Sequence, residues 1–558
     1  MNTKTSGVVE ETQALLAAYF ETIKGKDFKH FYYDWHREKM YAPFADLAAY
    51  FKSHSSKESF AAFVADFKAY VSAFNNDDVK NEHFSVKKYA RTTDGSLRQI
   101  MDRTDSFAFQ LRGFVHAFAK PEEHTRVFCD YFGKNNMPYA YHRGLAITAA
   151  VMDKMVESYD SLNSRQATLY LVDSFMRSAV FKSYRLDNAG EYAAVTALMA
   201  DLKVKRDELA LWYKAENQNP VSQYADLFQI EDTRPQSSGP QQSEYRPNGF
   251  ELEFYYPEQI GNNAELIKVL LQKNGWQKIY TGNKDAAVYH DETSAGVIMP
   301  DESLVAHNGL LPAEYASRIM RNKTEERECL KILETFEHGY VNKHCSFHQH
   351  VSADDMDIPA YKRLLKRMIQ HEAEIVSAFA AEERRDSRLL YATYISNNLG
   401  NDREKDYPLL CLLAETCDNK RQLREMAGYG RKYKTLNLMP EHTVEFRYMN
   451  GHFNRRFAEG FLQFNREMVS SAVSNGKQHI NRVLLHKYNW LNNQNSDTRT
   501  VMKPVHYMYA FAFDRFDPEI KISDKVKDGD MTQARLISHA LNKTGKIIVK
   551  NPQRYGRF

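Results

Sequence analysis

Along the first two hundred residues, apolar side chains recur every three or four positions. Phe60, Phe63, Val64, Phe67, Tyr70, Val71 and Phe74 form one series, Leu15, Leu16, Tyr19, Phe20 and Ile23 a second, and Tyr192, Val195, Leu198, Met199 and Leu202 a third. An α-helix turns about 100° per residue, so each series falls on one face and predicts a helix buried along it. Only Pro43, Pro121 and Pro138 interrupt the first two hundred residues, which again favours helices. The pattern therefore predicts an all-helical domain over residues 1–230. At residues 231–248, EDTRPQSSGPQQSEYRPN, the apolar positions all but vanish and Pro, Ser, Gln and Gly cluster, as in a solvated linker. GFELEFYY follows at 249–256 and alternates with period two, which predicts a strand. AELIKVLLQKNGW, 264–276, predicts a helix closed by Gly275. Extended and helical stretches then alternate to about residue 480, which outlines a second domain over 249–480 and a C-terminal extension, 481–558, expected to pack on it.

Composition narrows the class. A chain of 558 residues has room for two to four domains of about 150 residues each. With 43% hydrophobic and 26% charged residues it reads as globular, which excludes disordered and fibrous classes. A net charge of +3, from 75 basic and 72 acidic side chains, provides no global field for nucleic acid or an anionic membrane. The cysteines at 129, 329, 345, 411 and 417 are odd in number and contain no CxxC, which fits neither a disulfide framework nor a zinc ribbon. A reduced, cytoplasmic setting is the expectation. The polar start, MNTKTSGVVEETQ, and the lack of an apolar run of about 18 residues predict neither a signal peptide nor a membrane span.

Three short alternating pairs carry the candidate chemistry. Glu251 and Glu253 stand in GFELEF, His348 and His350 in SFHQHVS, and Glu445 and Arg447 in TVEFRYMN. In a strand, residues two apart share a face, so each pair presents two polar side chains together. If the three strands share one sheet, that face carries three carboxylates, two imidazoles and a guanidinium. Burying them requires something to pair the charges. Divalent cations with phosphate would do so, because hard Mg²⁺ takes carboxylate oxygens and arginine offers a planar fork to a phosphoryl group. Each pair also has a plainer reading. The glutamates could line a solvated edge strand, the Glu445/Arg447 pair a surface ion pair, and the histidines a structural contact. With His344 nearby, the imidazoles could instead hold Zn²⁺ as in a hydrolase.

In order and approximate spacing, GFELEF, DESLVAHNGLLPAEYASRIM, VNKHCSFHQHVS and KYKTLNLMPEHTVEFRYMNGHFN resemble the amidoligase family, a branch of the glutamine synthetase-like carboxylate–amine ligases. The last segment is the most specific, and the resemblance spans about residues 248–470. It implies an α+β fold in which an antiparallel sheet lines the active site and helices pack on its other face, following the N-terminal helical domain. It further implies an ATP-dependent ligase joining a carboxylic acid to an amine through an acyl phosphate. Two or three Mg²⁺ ions, replaceable by Mn²⁺, would be held by Glu251, Glu253, Glu314, His348 and Glu445. His350, Lys432, Asn437 and Arg447 would lie toward the nucleotide, with Arg447 on the transferred phosphoryl group. Glu253, Glu445 and Arg447 are the expected catalytic set. Asp301 and Ser303, in DESL, resemble a turn on the acceptor side. One of Arg384, Arg385 and Arg388 would bind substrate, with Arg385 taken as the candidate. The family pattern has a small Gly before the two histidines where this chain has Ser346 and Phe347. The acid and amine could be peptide or protein, and a homo-oligomer is expected by analogy with glutamine synthetase. A glutamine synthetase-like fold without activity, acting as an interaction protein, is the alternative reading.

Overall fold

The computed structural model describes residues 7–73, 137–179, 189–228, 245–257, 278–280, 287–289, 296–333 and 341–489, the longer spans with short breaks, and a few positions between 96 and 103. The expected helix at 264–276, most of the expected linker, Ser303, Arg384, Arg388 and everything beyond residue 489 lie outside the described residues. The chain divides into two compact units, Met1–Trp212 and Tyr213–Phe558.

The first unit is helical: α1 Gly7–Thr22, α2 Phe28–His54, α3 Lys57–Ala73, α4 Met137–Glu157, α5 Arg165–Ala179 and α6 Ala189–Gln218, the last continuing past the unit boundary. The apolar series find their places. Phe60, Phe63, Val64, Phe67 and Val71 of α3 are buried in one cluster with Phe51 of α2 and Met152 and Met155 of α4. Pro43 does not break the chain. It sits buried within α2, where packing of Phe44, Leu47 and Phe51 on the α3 and α4 side chains outweighs the one backbone hydrogen bond that a proline forfeits. Asp34 and Arg37 form a buried ion pair. Tyr19 Oη donates to Asp34 at 2.7 Å and Arg37 donates to Thr196 Oγ1 at 2.7 Å, which ties the pair to its neighbours within the bundle.

The second unit is α+β. Its helices are α7 Ala225–Phe228, α8 Lys323–Lys331, α9 Ile358–Phe379, α10 Arg403–Glu415, α11 Lys420–Gly428 and α12 Arg455–Val473. Its strands are β1 Asn248–Pro257, β2 Lys278–Tyr280, β3 Ala287–Tyr289, β4 Gly296–Pro300, β5 Leu310–Ser317, β6 Ser346–Ser352, β7 Leu436–Asn437 and β8 Thr443–Asn450. They form one sheet in the order β2-β3-β4-β5-β1-β6-β8-β7, and every pairing is antiparallel. Alternation sends Phe250, Leu252, Phe347, Phe446 and Tyr448 to one face, where α9 and α12 cover them. Phe250 stacks on Phe347 at 4.9 Å, and Phe461 of α12 meets both Phe347 and Tyr448 edge-on.

Helix and sheet are also pinned by a polar network inside this layer. Gln349 donates to Asn248 Oδ1 and to Leu462 O, both at 3.1 Å, and Asn465 donates back to Gln349 Oε1 at 3.0 Å. Tyr448 Oη donates to the same Asn465 side chain. Each polar group is matched, so the network fixes how α12 sits on the sheet without leaving orphans. Among the described residues no helix is long and apolar enough to cross a membrane.

Candidate active site

The opposite face of the same strands is polar, and the register decides who meets whom. Glu253 of β1 faces Glu314 of β5, and Glu251 faces His348 of β6. His350 faces Glu445 of β8, which faces Asn437 of β7. The β6–β8 register shifts between Phe347 and Gln349, where Arg447 and Tyr448 of β8 stand opposite the single residue His348; such a bulge re-aims side chains beside it. Three pairs separated by up to two hundred residues thus meet on one surface.

The contacts are close. His348 Nδ1 lies 3.4 Å from Glu251 Oε2, 3.5 Å from Glu445 Oε1 and 3.3 Å from the Arg447 guanidinium. His350 Nε2 lies 3.3 Å from Glu251 Oε1 and 4.0 Å from Glu445 Oε1. Arg447 also donates to Glu445, and its own backbone N–H is tied to Thr435 O at 2.9 Å. Glu253 is held from behind by the Ser346 backbone N–H at 2.7 Å. Asn437 donates to Glu445 Oε2 while its Oδ1 accepts the Met439 N–H at 2.9 Å, so both ends of that amide are engaged.

The electrostatics divide the face in two. Burial works against the charge of Glu251, yet His348 and His350 beside it hold its carboxyl well below the ordinary range. Burial also opposes the charge of Glu445, and Arg447, His348 and His350 overcome it. His350 is the converse: burial disfavours its cation, while Glu251 and Glu445 raise its pKa. Glu314 is different. Burial, then the charges of Glu251, Asp301 and Glu253, push it up to about 9, and the exposed Lys432 offsets only part of this. That half of the site carries negative potential that the chain itself does not neutralise.

Among the described residues, two groups bring three donor atoms within 4.8 Å of one another: Glu251, His350 and Glu445, and Glu253, Asp301 and Glu314. Five carboxylates and one imidazole make a hard, oxygen-rich donor set suited to Mg²⁺ or Mn²⁺ rather than Zn²⁺. His344 belongs to neither group, so the imidazole set that zinc would need is not assembled. Three buried nitrogens on this face, Nε2 of His348, Nε2 of His350 and Nε of Arg447, have no hydrogen-bond partner. Unpartnered nitrogens beside carboxylates that the chain does not neutralise are a donor set that fits a divalent cation and a phosphate-like anion.

The site therefore gathers nine of the residues expected from sequence: Glu251, Glu253, Asp301, Glu314, His348, His350, Asn437, Glu445 and Arg447. The imidazole in a three-donor group is that of His350, while His348 is wedged between two carboxylates and Arg447. Asp301 stands with Glu253 and Glu314. Lys432 is exposed, with its amine 5.6 Å from the Tyr433 ring. Arg385 donates from Nε to Ala380 O at 3.1 Å, at the end of α9. Sequence reasoning passed over Thr443, whose Oγ1 lies 3.2 Å from His350 Nδ1. The period-two rule that paired Glu445 with Arg447 would have found it one step upstream.

Comparison with known proteins agrees with this geometry. Residues 244–469 match the model of a family described as "Putative amidoligase enzyme". By this match the segment is similar to the amidoligases, which supports an amide-bond-forming ligase. No curated protein and no solved structure matches the chain.

Proposed function

We propose that the chain is an ATP- and Mg²⁺-dependent carboxylate–amine ligase that forms its amide through an acyl phosphate. The observation that carries this reading is the pairing of two oxygen-rich donor groups with a buried arginine on one sheet face. Glu251, His350 and Glu445 would hold one cation, and Glu253, Asp301 and Glu314 another. When bound, Mg²⁺ supplies Lewis-acid neutralisation of the phosphate oxygens.

The chain's own residues account for the rest. Arg447 is fixed at its backbone by Thr435 and at its head by Glu445, leaving Nε as an unused donor for an oxygen of the transferred phosphoryl group. A substrate carboxylate oxygen attacks the γ-phosphorus of ATP and ADP departs, giving an acyl phosphate. The amine nitrogen then attacks the acyl carbon, phosphate leaves with the C–O bonding pair, and a carboxylate of the site accepts the ammonium proton. Asn437 and Ser346 keep Glu445 and Glu253 from turning as charge moves, so the site is organised before substrate arrives.

The reading is tested by titrating Mg·ATP calorimetrically into the full chain and into Glu445→Ala. Magnesium-dependent binding in the wild type, lost in the variant, is the expected result. Equal heats in both proteins, or nucleotide binding indifferent to magnesium, would overturn it.

A further inference from the structure

We infer that Thr443 is a positioning residue for His350, and that its hydroxyl fixes the imidazole in the tautomer whose Nε2 lone pair completes a cation site with Glu251 and Glu445. The inference rests on the metal-dependent reading above and deepens it, because it names the group that decides what His350 can offer.

Thr443 opens β8, and Glu445, the cross-strand partner of His350, lies two residues further on. Both side chains therefore rise from the same face. The ring of His350 spans the gap between them: Nδ1 is 3.2 Å from Thr443 Oγ1, and Nε2, at the other end, is 3.3 Å from Glu251 Oε1. A neutral imidazole carries one N–H, and what is bonded at one nitrogen dictates the role of the other. With the proton on Nε2, the ring would point an N–H at the carboxylates and bind no metal. With the proton on Nδ1, Thr443 Oγ1 accepts it, and a lone pair faces two carboxylate oxygens, an arrangement that a cation between them stabilises.

A cation among Glu251, Glu445 and Nε2 selects the second state, because it takes the Nε2 lone pair and leaves the proton on Nδ1, which lies 3.2 Å from the Thr443 hydroxyl; among the described residues no other hydrogen-bond partner holds Nε2. The chain thus supplies a partner to the nitrogen that faces away from the donor group. Outer partners of this kind orient metal-binding histidines and raise their basicity, and their loss costs roughly 10–100-fold in metal affinity.

The experiment is an electron paramagnetic resonance titration of Mn²⁺ into the full-length wild type, Thr443→Val and Thr443→Ser. Val preserves the branched shape and the strand preference, while Ser preserves only the hydroxyl. The expected result is a loss of roughly tenfold or more in Mn²⁺ affinity for Val and near wild-type affinity for Ser. A purely structural role would give the reverse order, with Val the better substitute. Val binding like wild type, or Ser binding as weakly as Val, would overturn the inference while leaving the metal-dependent reading intact. A wild type that binds no Mn²⁺ would overturn both. Histidine-selective ¹⁵N spectra recorded with saturating Mg²⁺ and assigned with His350→Gln give a second readout: Nδ1 protonated in the wild type, and a mixture of tautomers in Thr443→Val. If Thr443→Val does not fold, Thr443→Ala takes its place in both measurements.

Discussion

Glu253 and Glu314 are direct cross-strand partners on β1 and β5, two carboxylates held side by side on a largely buried face. Like charges directly opposite destabilise a sheet, and burial adds to the cost. The proposed cation site would offset this cost when filled.

Glu314→Gln keeps the shape of the side chain and removes a carboxyl pushed up to about 9 by burial and its acidic neighbours, and with it the cost of taking up a proton on folding at neutral pH. In the absence of divalent cations the variant should be more stable than the wild type at neutral pH, by on the order of 1–3 kcal/mol. Added Mg²⁺ should raise the thermal midpoint of the wild type and have much less effect on the variant. Denaturant unfolding with and without Mg²⁺ tests both statements; a variant that is less stable, or equally stabilised by the ion, refutes them.

His452 predicts an acid sensitivity independent of the site. It is buried against Phe457, its Nδ1 accepts the Asn454 N–H at 2.8 Å, and burial pushes its pKa down to about 4 from 6.5. The unfolded chain binds this proton more readily, so the histidine's contribution is complete above about pH 6.5 and is lost as pH falls toward 4. His452→Gln should be less stable than the wild type at pH 7, and the gap should narrow by roughly 2–3 kcal/mol by pH 4. A gap that stays constant over that range would refute the assignment.

Gly451 should tolerate no side chain. A Cβ there would come within 2.9 Å of Cys345 Cβ, Glu253 O and Val341 Cγ1. One of these is the backbone of β1 at a site residue, so the strain has nowhere harmless to go. Gly451→Ala is expected to cost about 1–3 kcal/mol and to weaken Mn²⁺ binding, read by thermal unfolding and by the same resonance titration. An unchanged midpoint would show that the neighbours can give.

Much of this protein was readable in the chain because it depends on local periods. The series from Phe60 to Val71 had to become a buried helix face. The alternating pairs Glu251/Glu253, His348/His350 and Glu445/Arg447 had to share a face wherever a strand carried them. The motif order was enough to suggest the family. That α2 runs on through Pro43 depends on packing from distant helices, which no local rule contains.

What the sequence determined by itself was the secondary structure and the chemistry of each pair, since both follow from side-chain spacing over a few residues. Which pair met which was decided only by the tertiary structure. Register set Glu253 against Glu314 and His350 against Glu445, and an extra residue in β8 put Arg447 and Tyr448 opposite His348. Asp301 joined the glutamates, and Thr443 came to stand behind His350. Those relationships depend on antiparallel strands brought together across up to two hundred residues. Their alignment is fixed by the aromatic and Gln349–Asn465 layer under α9 and α12, not by any property of the short motifs themselves.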